Sequence, residues 1–437
     1  MEFMDLKKKK TEDIFLKNCT LIGKKSDSLK TTDILISEGV IKEINPSINT
    51  PGPNFKLIDC KGFYIFPGFV DMHVHIRQPG NEGAEDYESA VKSASRGGIT
   101  SMAVMPNTEP VMDKPFLIEY SMLKSKILNY NIYPVAAMTK GLEGEEISEM
   151  GLLKKSGAAA FSDDGKAVQN SKNMYEIMKY ASELGLLLIL HEEDYDFSFN
   201  GVVNEGYYSS MLGLNGISSL SEDLMIARDL ILAKKTKARI HFTHLSTEQS
   251  VEMIRAAKAE GINISCDITP HHLFFNDSGL QQFNTNFKIK PPIRSENDRQ
   301  ALLKGLKDGT IDAVASDHAP HKSSTKNCSF NEASFGTIGM ETMYKALITK
   351  LHKEEKFTID RVISLITEKP AKILDINAGK IEKGAVASLT IAGIDFKKTY
   401  LKEDIISKSK NSCFIGHDLF GEIYGCIVNG RICFLNF

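Results

Sequence analysis

The sequence lacks tryptophan altogether, and none of its seven cysteines forms a CxxC pair. The odd number and wide scatter of these cysteines argue against a disulfide framework and favour a reducing, cytoplasmic location. No apolar run approaches the ~20 residues that span a bilayer. The basic start of the chain, with Lys7–Lys10, is not followed by the apolar segment of a secretory signal, and we interpret it as a solvated tail.

The chain also lacks a strong excess of charge of either sign. Its 437 residues include 53 Lys and Arg against 56 Asp and Glu, which gives a formal net charge of −3. This balance gives no support to a nucleic-acid or membrane-surface binder. Hydrophobic residues make up 42% and charged residues 25%, as in ordinary globular proteins.

Both ends of the chain carry the pattern of short β-strands. Over 1–65 and again over 376–437, β-branched and aromatic runs are bounded by turn residues. Asn429-Gly430 between two apolar runs predicts a hairpin. The simplest way to stabilise both ends is to pack them together, so we predict one small composite β-sandwich domain built from both termini.

The middle of the chain, 66–375, alternates short apolar runs with amphipathic helical segments. This alternation predicts an α/β fold, a (β/α)8 TIM-type barrel. A doubly wound open sheet is the alternative, but no glycine-rich dinucleotide fingerprint follows the first strand. The eight predicted strands are Phe69–Ile76, Thr100–Met105, Ile132–Met138, Ala158–Phe161, Leu186–His191, Arg239–Leu245, Asn263–Ile268 and Ala313–Ser316.

Titratable residues gather where these strands end. His73 and His75 are two apart, which puts both side chains on one face of the first strand. Because the active site of such a barrel lies at the carboxyl ends of its strands, we expect the groups there to converge. Imidazoles and carboxylates together suit Zn²⁺, which activates water and polarises carbonyls. The other strand-end candidates are Asp163, Asp164, His191, His241, His244, Asp317 and His321.

Two choices stay open on residues alone. Asp163 and Asp164 are adjacent, so only one of them can be a ligand, and the other caps a turn or orients a neighbour. His241 and His244 should likewise lie on opposite faces. Asp317 is suited to be a general base beside a metal and its water.

Cations follow some of the same strands. Arg77 has no role on a metal but suits a substrate carboxylate, which a guanidinium grips with two hydrogen bonds. Its alternative is a salt bridge to Glu85 or Asp86. Lys290 is a second cation, in a predicted loop after the seventh strand.

Six segments together resemble the cyclic amidohydrolases, and among them the dihydroorotases of the bacterial type I group. The resemblance covers about 60–375 in order, and the β-rich ends agree with the composite β domain of that family. The segments are Asp71–Gly80, Met105–Thr108, Phe161–Gly165, His244–Thr247, Thr269–Leu273 and Ser316–His321.

The resemblance implies a zinc centre of one or two ions. His73, His75 and Asp317 would bind one ion, His191 and His244 a second, and Asp164 rather than Asp163 would bridge them. His271 and His272 would not be ligands.

The resemblance also implies the substrate contacts. Arg77 and Asn107 would bind the α-carboxylate, with His75 beside the reacting ring. His321 and the backbone at Phe335 and Gly336 would hold the ring. Lys290 stands where the group usually has Asn, and there it adds a cation near the substrate.

The implied function is the reversible cyclisation of N-carbamoyl-L-aspartate to L-dihydroorotate, with loss of water, in de novo pyrimidine (UMP) biosynthesis. Asp317 would carry the proton. The alternatives are another cyclic amidohydrolase, namely an allantoinase or hydantoinase, and an inactive homologue that scaffolds aspartate carbamoyltransferase. Hydantoinases and allantoinases bridge their metals with a carboxylated lysine, and inactive homologues typically lack the metal ligands. We expect a homodimer, with association with aspartate carbamoyltransferase as a further partner hypothesis.

Overall fold

The computed structural model describes residues 13–22, 29–49, 52 and 54–436. The basic run Lys7–Lys10 lies outside these residues. Within the described ranges, no helix combines the length and apolarity that crossing a membrane requires.

The first strands belong to a sheet that lies outside the barrel. Strand β1 pairs antiparallel with β2 and parallel with both β4 and β5, and β2 pairs antiparallel with β3. At the start of β1 three apolar side chains in succession, Ile14, Phe15 and Leu16, are fully buried, so both faces of the strand are covered there. The strands are β1 (Ile14–Ile22), β2 (Leu29–Ser37), β3 (Val40–Asn45), β4 (Lys56–Asp59) and β5 (Tyr64–Pro67).

The middle of the chain forms the predicted barrel. Its eight strands are parallel and follow the order β6, β7, β8, β9, β10, β13, β14, β15, which confirms all eight predicted strands. A parallel bridge between Val74 and His318 brings the first and last strands together. Strands β11 and β12 form a separate two-stranded sheet. The strands are β6 (Phe69–Val74), β7 (Ile99–Val104), β8 (Asn131–Ala136), β9 (Ala160–Phe161), β10 (Leu187–Leu190), β11 (Val203–Asn204), β12 (Gly216–Ile217), β13 (Arg239–Phe242), β14 (Ile264–Ile268) and β15 (Ala313–Val314).

Helices alternate with these strands, as the amphipathic segments predict. Side chains cap the N-termini of two of these helices: Asp86 accepts a hydrogen bond from Ser89 N, and Thr247 accepts one from Ser250 N. The helices are α1 (Tyr87–Arg96), α2 (Pro115–Leu128), α3 (Met150–Lys155), α4 (Ser171–Glu183), α5 (Tyr195–Ser198), α6 (Tyr207–Leu212), α7 (Leu220–Thr236), α8 (Glu248–Ala259), α9 (Pro270–Phe274), α10 (Glu296–Asp308), α11 (Met343–Leu347), α12 (Ile359–Ser364) and α13 (Glu368–Leu374).

The last strands complete the sheet that the first strands began. They are β16 (Leu389–Thr399), β17 (Asp418–Val428) and β18 (Arg431–Leu435), and β16 pairs antiparallel with β5. The two ends of the chain therefore build one sheet. Asn429 and Gly430 both have positive φ, at 52° and 73°, and join β17 to β18 as the predicted hairpin.

An apolar cluster lies beneath the polar end of the barrel. It joins residues of β6 to β10 and β15, including Val70, Met72, Leu187 and Ile189. Because alternate residues of a strand share a face, His191 continues the face of Leu187 and Ile189. The core thus supports the polar groups that follow each strand.

Candidate metal centre and active site

The six predicted ligands come together at the carboxyl end of the barrel. His73 and His75 come from the end of β6, and the other four follow β9, β10, β13 and β15. All six are buried, with at most 8% of each residue exposed. Left-handed backbone at His244 and Asp317, with φ of 41° and 45°, turns the chain sharply just after β13 and β15. The set consists of His73, His75, Asp164, His191, His244 and Asp317.

Asp164 lies at the centre of this set. Its Oδ1 is 3.2 Å from His73 Nε2, 3.6 Å from His191 Nδ1 and 3.8 Å from His244 Nε2. Its Oδ2 is 3.5 Å from His75 Nε2. One carboxylate thus faces four imidazoles, as a bridging ligand would.

Asp317 faces the two histidines of the first strand. Its Oδ1 lies 3.2 Å from His75 Nε2 and 3.6 Å from His73 Nε2. Two groups of ligand atoms are close enough to hold a cation, and they share His73. They are His73 with His75 and Asp317, and His73 with Asp164 and His244.

His191 lies at the edge of the second group. Its Nδ1 is 3.0 Å from His244 Nε2, and its Nε2 is 3.3 Å from Glu193 Oε2. The other oxygen of Glu193 is 2.6 Å from Lys290 Nζ. Glu193 thus connects a predicted ligand to a predicted substrate contact.

The donor set fits a metal ion. His73 Nε2 and Asp164 Oδ1 are buried and lie 3.2 Å apart, but neither has a hydrogen bond of acceptable geometry with any described residue. Buried polar atoms are almost always satisfied, so a group that is not part of the chain is expected between them. Imidazoles with carboxylates are the ligands of Zn²⁺ and similar borderline cations.

Outer hydrogen bonds aim the first two imidazoles. His73 Nδ1 lies 2.9 Å from Thr243 Oγ1, which in turn lies 3.2 Å from Asp267 Oδ1. His75 Nδ1 lies 2.9 Å from Asn107 Oδ1. With Nδ1 engaged in each ring, Nε2 is left to face the centre.

Two of these outer residues, Thr243 and Asp267, were not predicted from the sequence. Asp267 also accepts a hydrogen bond from His244 N at 2.7 Å. The sequence did carry one signal for Asp267. A carboxylate inside a buried parallel strand such as β14 needs a hydrogen-bond or ionic partner. Asn107 was predicted on the substrate side, and the structure adds that it orients His75.

The two adjacent aspartates face different neighbours in the structure. Asp163 Oδ1 accepts hydrogen bonds from Met138 N at 2.7 Å and Thr139 N at 3.0 Å. It therefore orders a loop after β8, whereas Asp164 faces the histidines. Burial raises the pKa of Asp163 to about 6, against the lowering effect of its hydrogen bonds with Thr139.

Three other barrel histidines have partners outside the six-residue set, or none among the described residues. His241 Nε2 lies 2.8 Å from Asp267 Oδ2, and His318 Nε2 lies 3.4 Å from Glu85 Oε2. His271 is buried, and neither of its ring nitrogens has a hydrogen-bond partner among the described residues.

Charge at the centre shifts several pKa values. Burial alone would lower the pKa of His73, but the carboxylates of Asp164 and Asp317 raise it to about 9. Burial opposes ionisation of Asp317 as well, yet the hydrogen bond to His75 and the charge of His73 hold its pKa below the usual range. In the metal-free chain, protons thus take the place of a cation among these groups.

Arg77 lies near enough to this centre that burial, which lowers its pKa, is opposed by the charges of Asp317 and Asp164. Its Nε donates to Pro320 O at 3.2 Å, and no ion pair joins it to an acid anywhere in the described ranges. Glu85 and Asp86, its alternative partners, pair with other side chains. Burial lowers the pKa of Arg77 only to about 10, so it stays charged at neutral pH. Its guanidinium is available for an anion.

The residues predicted to hold a ring also lie together. His321 Nε2 is 2.6 Å from Phe335 O. Gly336 has φ of 134°, and a Cβ there would lie 2.7 Å from Ala319 Cβ and 3.0 Å from His321 Nε2. Glycine is therefore required at this contact. Lys290 Nζ lies 5.0 Å from the centre of the Phe335 ring.

Comparison with known families identifies close relatives. A family described as Dihydro-orotase-like matches residues 62–250. A dihydroorotase of Acetivibrio thermocellus is 42% identical over 420 residues, 96% of this chain and 98% of the relative. A dihydroorotase of Geobacter metallireducens is 42% identical over 405 residues, 92% and 95% of the two chains.

Solved structures share the fold at lower identity. An L-hydantoinase (dihydropyrimidinase) from Arthrobacter aurescens aligns with a TM-score of 0.86 and 24% identity over 97% of this chain and 96% of its own. A D-hydantoinase (dihydropyrimidinase) from Thermus sp. aligns with a TM-score of 0.80 and 23% identity over 97% and 95%. These neighbours support the barrel and its added β domain.

Proposed function

The chain belongs to the dihydroorotase family, a group of metal-dependent cyclic amidohydrolases, and on that premise we propose that it is itself a dihydroorotase. The reaction is the reversible hydrolysis of the ring amide of L-dihydroorotate. In the synthetic direction N-carbamoyl-L-aspartate closes to the ring and water is lost. This step would serve de novo pyrimidine synthesis.

The observation that carries the proposal is the unpaired Arg77 beside the histidine and aspartate cluster. Dihydroorotate has both a ring amide to hydrolyse and a carboxylate to hold. The six-residue cluster suits the amide, and a guanidinium with no acid of the described residues within 4.0 Å suits the carboxylate. Asn107, whose Nδ2 lies 3.5 Å from Asp164 Oδ2, would add an amide donor next to the same position.

Metal ions in such a site polarise a carbonyl and lower the pKa of water towards neutrality. We assign the proton transfer to Asp317, because its carboxylate faces both His73 and His75 at the proposed metal site. It would take a proton from water and deliver it to the leaving ring nitrogen, and reverse these steps on closure. Arg77 would fix the carboxylate, so that positioning contributes much of the rate.

We propose zinc as the metal, with His73, His75 and Asp317 holding one ion and His191 and His244 a second. Asp164 would bridge the two ions. The chemistry of the donor set supports zinc over harder cations such as Mg²⁺, which prefer an all-oxygen shell. Metal analysis of the purified protein, with reconstitution by single metals, tests both the identity and the number of ions.

The hydantoinases that share the fold suggest another cyclic amide as substrate. The bare guanidinium of Arg77 favours dihydroorotate, because hydantoin and allantoin lack the carboxylate that it would bind. A substrate panel tests this choice. Preference for hydantoin or allantoin over dihydroorotate would refute the proposal, and an Arg77→Gln variant should lose most of its preference for dihydroorotate.

The remaining expectations concern organisation and partners. We propose 66–375 as the catalytic barrel and 1–65 with 376–437 as the β domain. We also propose a cytoplasmic homodimer that acts on a small molecule, which light scattering on the purified chain would test. An inactive scaffold for aspartate carbamoyltransferase is disfavoured because all six candidate ligands are present and gathered, and a turnover assay separates the two. Association with that enzyme is compatible with activity.

A further inference from the structure

A segment from the C-terminal part of the chain lies against the mouth of the barrel. Residues 405–414, between β16 and β17, are named here the C-terminal strap. The Glu341 carboxylate accepts a hydrogen bond from Ser407 N at 2.9 Å, and Ser409 Oγ donates to Ala84 O at 2.7 Å. The strap is therefore held by barrel loops on one side.

On its other side the strap inserts one buried amide between two loops. Asn411 Oδ1 accepts from His321 N at 3.1 Å. Asn411 Nδ2 donates to Ala319 O at 3.0 Å and to Gly336 O at 3.2 Å. Asn411 is 4% exposed, so these bonds form away from water. A single side chain thus joins the two loops that are proposed to hold the ring.

Asn411 makes further contacts through its backbone, and its side-chain contacts flank Pro320. Its backbone oxygen accepts from Ile338 N at 2.9 Å and from Thr337 Oγ1 at 3.1 Å. Pro320 O, which lies between the two backbone groups bound by Asn411, accepts the hydrogen bond from Arg77 Nε. Asn411 therefore supports the carbonyl that orients the proposed carboxylate-binding guanidinium.

We infer that Asn411 is a positioning residue for substrate binding, through which the C-terminal strap sets the spacing of His321 and Gly336 and the direction of Arg77. The inference rests on the proposed function, since these three residues are its substrate contacts. The C-terminal strap would thereby be part of the binding site, although none of its atoms is placed on the reacting amide.

The contacts predict which loop moves when the amide is removed. Gly336 O also accepts from Lys326 Nζ at 3.0 Å, so it keeps a partner without Asn411. Ala319 O and His321 N have no other hydrogen-bond partner in the described part of the chain. Residues 319–321 keep the bonds of Ala319 N to Thr337 O and of His321 Nε2 to Phe335 O. Removal should therefore loosen this segment, and with it Arg77, while leaving the metal ligands in place.

The test is steady-state kinetics of dihydroorotate hydrolysis by the metal-loaded full chain. Asn411→Ala should raise KM at least about tenfold, with kcat within about threefold and metal content unchanged. Asn411→Asp keeps the acceptor for His321 N but directs a charged oxygen at Ala319 O and Gly336 O, so its KM should rise at least as far as that of Asn411→Ala. If Asn411→Ala is insoluble, Asn411→Ser, whose single hydroxyl cannot make all three side-chain hydrogen bonds, carries the test.

Ser409→Ala is the matched control, because Ser409 is equally buried in the strap but, within the part of the chain that the structure describes, bonds only to Ala84. Its KM should equal that of the wild type. Unchanged KM in the Asn411 variants, or a loss of kcat and metal at constant KM, would overturn the inference alone and indicate a purely structural role. Absence of turnover in the metal-loaded wild type would instead overturn the proposed function and the inference together.

Discussion

Lys290 Nζ lies 2.6 Å from Oε1 of Glu193, and the other oxygen of that carboxylate faces a predicted metal ligand. Burial opposes the ionisation of Glu193, but its hydrogen bond to His191 and the charge of Lys290 lower its pKa to about 2. The carboxylate is therefore charged at neutral pH. A cation at the rim is in this way linked to the second predicted metal site.

Glu193→Gln should weaken the binding of the metal ion that we propose at His191 and His244. The amide keeps the shape but loses the charge that holds the His191 ring, and loss of such an outer partner typically costs 10–100-fold, roughly, in metal affinity. Metal content after dialysis against graded chelator measures this. Glu145→Gln, at an exposed site, is the control, and equal metal retention in the two variants would contradict the role given to Glu193.

The adjacent aspartates offer a matched pair of variants. Asp164→Asn should abolish metal binding and turnover, because the residue faces four imidazoles. Asp163→Asn should keep both but lose about 1–3 kcal/mol of unfolding free energy, since its loop hydrogen bonds are weakened. Metal analysis and urea unfolding of both variants test the assignment. Loss of metal in Asp163→Asn but not in Asp164→Asn would reverse it.

Asp317→Asn should retain part of the metal but lose turnover by about 10³-fold or more. An amide oxygen can still face His73 and His75, yet it cannot take up the proton from water. Hydrolysis rates measured at matched metal content test the assignment. Near-normal activity would exclude Asp317 as the group that moves the proton.

The buried His271 predicts a loss of stability in acid. Burial lowers its pKa to about 4 from an ordinary 6.5. Between these values the unfolded chain binds the proton and the folded chain does not, so the free energy of unfolding falls as pH falls. The contribution is about 3 kcal/mol between pH 6.5 and 4. Urea unfolding of metal-free His271→Leu should show a shallower pH dependence than the wild type, and equal slopes would contradict this origin.

Much of the site was predicted from the sequence because the barrel topology restricts where strand ends can go. His73 and His75 share a face by the period of two, and the carboxyl ends of parallel strands meet at one mouth. The chain order of apolar runs therefore sufficed to gather residues as far apart as His73 and Asp317. The choice of Asp164 over Asp163, by contrast, came from family resemblance, and it agrees with the structure in that Asp164 faces the histidines.

What the sequence alone determined was the alternation of strands and helices, the hairpin at Asn429-Gly430 and the strand-end groups, since these depend on local periodicity and turn chemistry. Only the tertiary structure decided which outer groups orient the ligands, because a hydrogen bond joins whatever the packing brings within about 3 Å. Asn411 shows the difference, as nothing near it in sequence marks it out. Its role arises because the C-terminal strap returns to the barrel mouth and leaves a buried carbonyl, Ala319 O, that must be paired.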